Sequence, residues 1–167
     1  NINIGASATN PFYTLSINNP GFVVFATLAT TVQNDLTVLN GTFSANGNTV
    51  YVGKNFRAIS GTFANSGTYY LNYSGATVIN IQTNGSTLGN LTIDGVGSTF
   101  ICNDNLSVAG NFRLLNGIFN GYNKVVNLGS GGHAIVINGT YQIGAGGVMA
   151  IGNLCTVSIN GTLVAVG

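Results

Sequence analysis

Ten of the 167 residues carry side chains suited to acid–base, nucleophilic or metal-binding chemistry: three Asp, four Lys plus Arg, one His and two Cys, with no Glu. Acid–base catalysis needs titratable groups brought together, and metal capture needs clustered His, Cys or carboxylate donors. Asp94 and Asp104 are separated by about half of one sequence repeat, so they are expected to leave different faces and not to work as a carboxylate pair. His133, in Ser130-Gly-Gly-His-Ala-Ile, is far along the chain from Asp104, its nearest acid, and reads as a solvent-facing turn residue. Lys54 and Arg57 are separated from Arg113 and Lys124 and read as solubility charges, not as the charged face of a polysaccharide-cleaving enzyme. Neither Gly131-Gly132 nor Gly146-Gly147 is followed by the Asp of a calcium-binding nonapeptide. No catalytic residue, metal site or cofactor is expected.

The same scarcity bounds the partners. Charged residues are 4% of the chain, against roughly 25% in an average domain, and the net charge is +1 without a basic stripe. Nucleic acid and anionic membrane are therefore not expected as partners. The longest apolar stretches, residues 21–29 and 143–151, fall short of the roughly 20 residues of a membrane helix, so no membrane insertion is expected. Disorder is equally disfavoured, because 16 Phe plus Tyr accompany 25 Gly and 25 Asn in a chain that is 45% hydrophobic. The first residue is Asn1 and no leader pattern follows it, as expected where a signal has been removed or the chain was cut from a longer one.

The elements that must position these residues are short strands. Leu36–Leu39, Thr49–Val52, Thr77–Ile81, Leu91–Ile93, Ala134–Ile137 and Thr156–Ile159 alternate apolar with small polar residues and are separated by Asn-Gly, Ser-Gly and Gly-Gly pairs. One motif recurs: Asn40-Gly41-Thr-Phe43, Ser60-Gly61-Thr-Phe63, Asn116-Gly117-Ile-Phe119, Asn138-Gly139-Thr-Tyr141 and Asn160-Gly161-Thr-Leu163. Neighbouring copies keep a period of about 20 to 22 residues, within the range of stacked repeats. Leu36–Gly53 also aligns without a gap on Phe112–Gly129. A helix-free period of this length predicts an all-β, right-handed parallel β-helix of about eight coils of 20–22 residues, a rod about 35–40 Å long. Phe43, Phe63, Phe119, Tyr141 and Leu163 are expected to form one inward stack, with the Gly of each motif at a positive-φ corner. The alternative is an antiparallel β-sandwich of pilin or adhesin type, because Asn-Gly is also a hairpin signal. In the solenoid, Cys102 and Cys155 lie on different faces about 10 Å apart along the axis, and two free thiols are expected.

The cadence Leu88-Gly-Asn-Leu-Thr-Ile-Asp94, then Asn105 to Phe119, then Val125-Val-Asn-Leu-Gly129, resembles the repeats of very large secreted surface proteins and adhesins of Bacteroidetes-type bacteria. That resemblance covers about residues 30–130. It implies a secreted chain, an extracellular or cell-surface location, and a stalk or filament role.

Seven Asn-x-Ser/Thr sequons, at Asn40, Asn72, Asn84, Asn90, Asn105, Asn138 and Asn160, are possible glycosylation sites. The absence of any Thr-x-Thr argues against an ice-binding face. Residues 1–21, which hold both prolines, read as an extended arm or capping segment, and residues 22–167 as solenoid repeats. Residues 161–167 end on an alternating strand without a polar cap, which invites edge pairing. The expected function is a non-catalytic extracellular structural protein, a subunit or segment of a surface filament whose partner is a second copy, head to tail. The alternatives are a carbohydrate-binding adhesin module that meets surface glycans through Tyr69, Tyr70 and Tyr73, and a polysaccharide-active β-helix enzyme.

Overall fold

The computed structural model describes residues 2–5 and 9–166. Among them no residue is helical, and every strand pair is parallel and joins one coil to the next. The chain is an all-β solenoid of about eight coils, and no pair closes the antiparallel hairpins of a sandwich. Each coil lays a short strand on each of three faces in turn. The first face is formed by the start of Leu15–Ala26, the start of Leu36–Ser44, then Phe56–Ala58, Val78–Gln82, the ends of Asn90–Cys102 and Phe112–Asn120, Thr140–Ile143 and Thr162–Ala165. The second holds the ends of Leu15–Ala26 and Leu36–Ser44, Thr62–Phe63, Thr87–Leu88, Leu106–Val108, Val125–Leu128 and Val148–Ile151. The third holds Thr30–Val32, Thr49–Val52, Thr68–Leu71, the starts of Asn90–Cys102 and Phe112–Asn120, Ala134–Ile137 and Thr156–Ile159.

Strand alternation decides which side chains fill the tube. In Thr49-Val-Tyr-Val the two Val are buried and Tyr51 faces out, as the period of two requires. Stacking such strands builds inward ladders, for example Val50–Tyr69–Leu91–Phe112–Ile135–Val157 and Val52–Leu71–Ile93–Leu114–Ile137–Ile159 on the third face. Rings from different faces meet in the interior: Phe56 stacks on Phe63 at 4.0 Å, and Phe112 lies 5.5 Å from Phe119. Such pairs add to burial through ring quadrupoles.

The expected single aromatic stack is two. Phe43 and Phe63 lie on the second face, in the ladder Val24–Phe43–Phe63. Phe119, Tyr141 and Leu163 lie on the first face, in the ladder Ile79–Phe100–Phe119–Tyr141–Leu163. The recurring motif is thus a corner unit, not a coil unit. Asn40-Gly41 turns the chain from first to second face, and Asn116-Gly117 from third to first. The aligned segments that begin at Leu36 and Phe112 are offset by three coils and two faces along this path, and all three faces accept the same alternation.

The glycine expectation also divides. Gly41 (φ 83°) and Gly117 (φ 89°) hold the left-handed conformation that bends a continuous strand around its corner. Gly61, Gly139 and Gly161 are not at positive φ. They are small because coils approach closely: a Cβ on Gly139 would lie 2.6 Å from the Gly117 carbonyl oxygen.

The first coil starts earlier than residue 22. Leu15–Ile17 pairs with Leu36–Val38, and Val23–Phe25 with Thr42–Ser44, so residues 15–21 belong to the solenoid. Ile2–Ile4 lies on Val24–Ala26, and Phe12 bridges Val32, a partial coil laid over the first. Residues 1, 6–8 and 167, which the expected division assigned to arm and repeats, lie outside the described residues.

Candidate functional site

The carboxylates are consumed by corners. Asp35 accepts the backbone N–H (3.0 Å) and Nδ2 (2.9 Å) of Asn55, whose Oδ1 accepts the same two groups from Asn80, whose Oδ1 accepts Nδ2 of Asn103. Asp94 accepts Nδ2 of Asn116 at 2.6 Å, and further pairs join Asn40 to Asn18 and Asn160 to Asn138. In each pair the later coil donates and the earlier accepts. The ladders therefore have a direction, and an Asp, which only accepts when ionised, fits their N-terminal end. Asp104 accepts the backbone N–H groups of Thr83 (3.0 Å) and Asn84 (2.5 Å), holding the turn that starts at Asn84, whose φ is 50°. Asp94 and Asp104 thus serve different corners, and among the described residues no three potential metal-ligating side chains cluster. His133 is half-buried at the start of Ala134–Ile137, and its carbonyl accepts the Thr156 N–H.

Of the tyrosines singled out by sequence, Tyr70 belongs to the polar surface of the third face. Tyr69 is an inward ladder residue with no exposed area, its hydroxyl donating to the Ala64 carbonyl at 3.3 Å, and burial pushes its pKa up. Tyr73 packs partly buried beside the core under Lys54, whose Nζ lies 5.6 Å from the ring centroid. The partner of Tyr70 is Tyr51, one coil earlier on the third face, with ring centroids 5.4 Å apart. The Tyr70 hydroxyl donates to Asp94 Oδ2 at 2.7 Å. Desolvation first, and then the Asp94 carboxylate, push its pKa up to about 12. The next coils add Thr92 and Arg113 in register, and a shallow depression of about 280 Å³ opens between Thr68, Tyr70, Asn90, Asn111, Arg113 and Leu115. The signal for Tyr51 was present: Thr49-Val-Tyr-Val aligns on Thr68-Tyr-Tyr-Leu, which sends Tyr51 and Tyr70 outward together.

The second notable region is the last coil. Ile151, Val157, Ile159 and Leu163 are 39%, 41%, 45% and 44% exposed, whereas Leu128, Ile135, Ile137 and Tyr141, directly beneath them in the same ladders, are 0% exposed. The strands Val148–Ile151, Thr156–Ile159 and Thr162–Ala165 each pair on one side only among the described residues. The N-terminal end differs, because Ile17 and Val24 of the first full coil are each 5% exposed and Val32 is 0% exposed beneath the partial coil.

The sequons divide by what their amides already do. Asn40, Asn84, Asn90 and Asn160 spend Nδ2 on ladder or backbone acceptors, and the Oδ1 atoms of Asn105 and Asn138 each accept a bond. Asn72 is exposed after Thr68–Leu71, outside any side-chain hydrogen bond among the described residues. Cys102 and Cys155 are both free. Cys102 is buried in the first-face ladder beside Ile81, where burial and then Asp104 raise its thiol pKa. No described helix is long and apolar enough to cross a membrane. Comparison of the chain with protein-family models, curated proteins and solved structures finds no match.

Proposed function

We propose that this chain is a non-catalytic, extracellular structural solenoid, a subunit or segment of a surface filament or stalk that lengthens by β-edge pairing with a second copy, head to tail. The observation that supports the reading is the coil of residues 148–165, where four ladder positions that are sealed one coil earlier lie open beside strands that pair on one side only among the described residues. Edges of this kind template further strands unless charge, proline or a covering element blunts them. No Asp, Glu, Lys or Arg follows Lys124 or precedes Asp35, so no charged side chain in these stretches opposes stacking. The direction of the ladders favours a parallel continuation: Asn160 donates back to Asn138 and accepts no bond among the described residues, leaving its oxygen for the next donor. The extracellular location rests on the resemblance of the repeats to those of secreted surface proteins. The non-catalytic role is supported by the use of Asp35, Asp94 and Asp104 as corner acceptors.

Sedimentation velocity across a range of concentrations tests this. Wild type is expected to form a ladder of linear oligomers, and Ile159→Lys, which places an ammonium in the open end, is expected to hold the chain monomeric with an unchanged unfolding midpoint. A wild-type protein that stays monomeric at high concentration overturns the reading.

A further inference from the structure

We infer that the third face carries a saccharide-binding groove whose natural occupant is a carboxylate-bearing, uronate-type glycan, held by Tyr51, Tyr70 and Arg113. The groove is independent of how the ends of the rod are occupied. Tyr51, Tyr70, Thr92 and Arg113 are successive positions of one row in register. Tyr70 and Arg113 line the depression, Thr92 is a buried part of its floor, and Tyr51 flanks it beside Tyr70. Its floor is set before any ligand arrives. Asp94 fixes the Tyr70 hydroxyl at 2.7 Å and is itself held by Asn116 at 2.6 Å. Asn90 Oδ1 accepts the Asn111 backbone N–H at 2.9 Å, while Asn90 Nδ2 donates to Thr68 Oγ1 at 3.3 Å. The tilted Tyr51–Tyr70 pair then offers an apolar ring surface beside hydroxyl and amide groups, the combination that a sugar ring requires, with C–H bonds on its faces and hydroxyls on its rim.

Arg113 selects among sugars. It is exposed and lines the depression, and no hydrogen bond or ion pair engages it among the described residues. Tyr70, Asn90, Asn111 and Thr68 are tied into the coil-to-coil network, so Arg113 is the group left to meet a ligand. A guanidinium takes a carboxylate in a two-pronged, charge-assisted arrangement, which a neutral sugar cannot supply.

Isothermal titration of the whole chain with a galacturonate oligosaccharide tests the assignment against a neutral maltooligosaccharide of the same length. The galacturonate probe is expected to bind at least about tenfold tighter, and Arg113→Gln to remove about that factor, the size of one charge-assisted contact. Tyr51→Ala is expected to weaken both sugars, with an unchanged unfolding midpoint as the control for folding. Lys54→Gln removes the same charge outside the groove and should leave binding intact. Equal binding of the two sugars, equal losses in Arg113→Gln and Lys54→Gln, or no binding of either sugar overturns the inference.

Discussion

The middle of the rod and its last coil contain the same kinds of residue at the same ladder positions, yet only the middle is sealed. Tyr141 is fully buried and Leu163, its neighbour in the same ladder, is 44% exposed. The difference lies in the neighbouring coils, not in residue identity: every inward residue of a solenoid is covered by the coils on either side, and Leu163 has a described coil on one side only. The N-terminal end shows the contrast from the other direction, since the partial coil around Ile2–Ile4 and Phe12 covers Val24 and Val32.

Truncations should separate the two regions most strongly. Phe119→Ala empties a ladder position packed against Phe112 and Tyr141, and its cost is expected at about 3–5 kcal/mol. Leu163→Ala is expected to cost under about 1 kcal/mol in the monomer, because its site is already open to water. Urea unfolding of the two variants side by side checks this, and similar losses would erase the contrast.

The polar ladders sharpen the same comparison at smaller size. Asn116→Ala takes a donor from Asp94 in the middle of the rod and should cost about 1 kcal/mol. Asn160→Ala, at the open end, should fall within about 0.5 kcal/mol of wild type. The two core tyrosines should move in opposite directions. The Tyr141 hydroxyl is buried without a partner, so Tyr141→Phe is expected to raise stability by up to about 1 kcal/mol, whereas Tyr69→Phe gives up the bond to Ala64 and should lower it by a similar amount. Thermal melts resolve both.

A pH titration reads the Tyr70–Asp94 pair as a slope at alkaline pH and leaves stability at neutral pH untouched. Because the folded-state pKa of Tyr70 is raised from 10.0 to about 12, its contribution to stability is intact below pH 10 and is lost as pH rises through 12, where the folded protein is the state that retains the proton. Tyr70→Phe should flatten the wild-type decline in this window. Equal slopes for the two proteins would contradict the Tyr70–Asp94 pairing.

Much of the architecture was legible in the amino acids because parallel stacking writes a period into them. Copies of the Asn-Gly-Thr-aromatic motif, starting at Asn40 and Ser60 and again at Asn116, Asn138 and Asn160, reveal coils whichever face they occupy. The face itself was not legible. A three-sided tube turns three similar corners, so Asn40-Gly41 and Asn116-Gly117 look alike in the sequence while bending the chain at different edges, and their aromatic residues join different ladders. The surface row was half legible: Tyr69 and Tyr70 are adjacent and only their alternation tells them apart, whereas Thr92 and Arg113 join the row only through pairing between successive coils.

The central claim is that the open last coil is continued by a second copy in the same parallel register. Fibre diffraction from concentrated, aligned protein tests it most directly. The account predicts long rods with a reflection near ~4.8 Å along the rod axis, the spacing of stacked parallel strands running without a break through each junction. Discrete particles one chain long, with no axial order beyond that length, would contradict it.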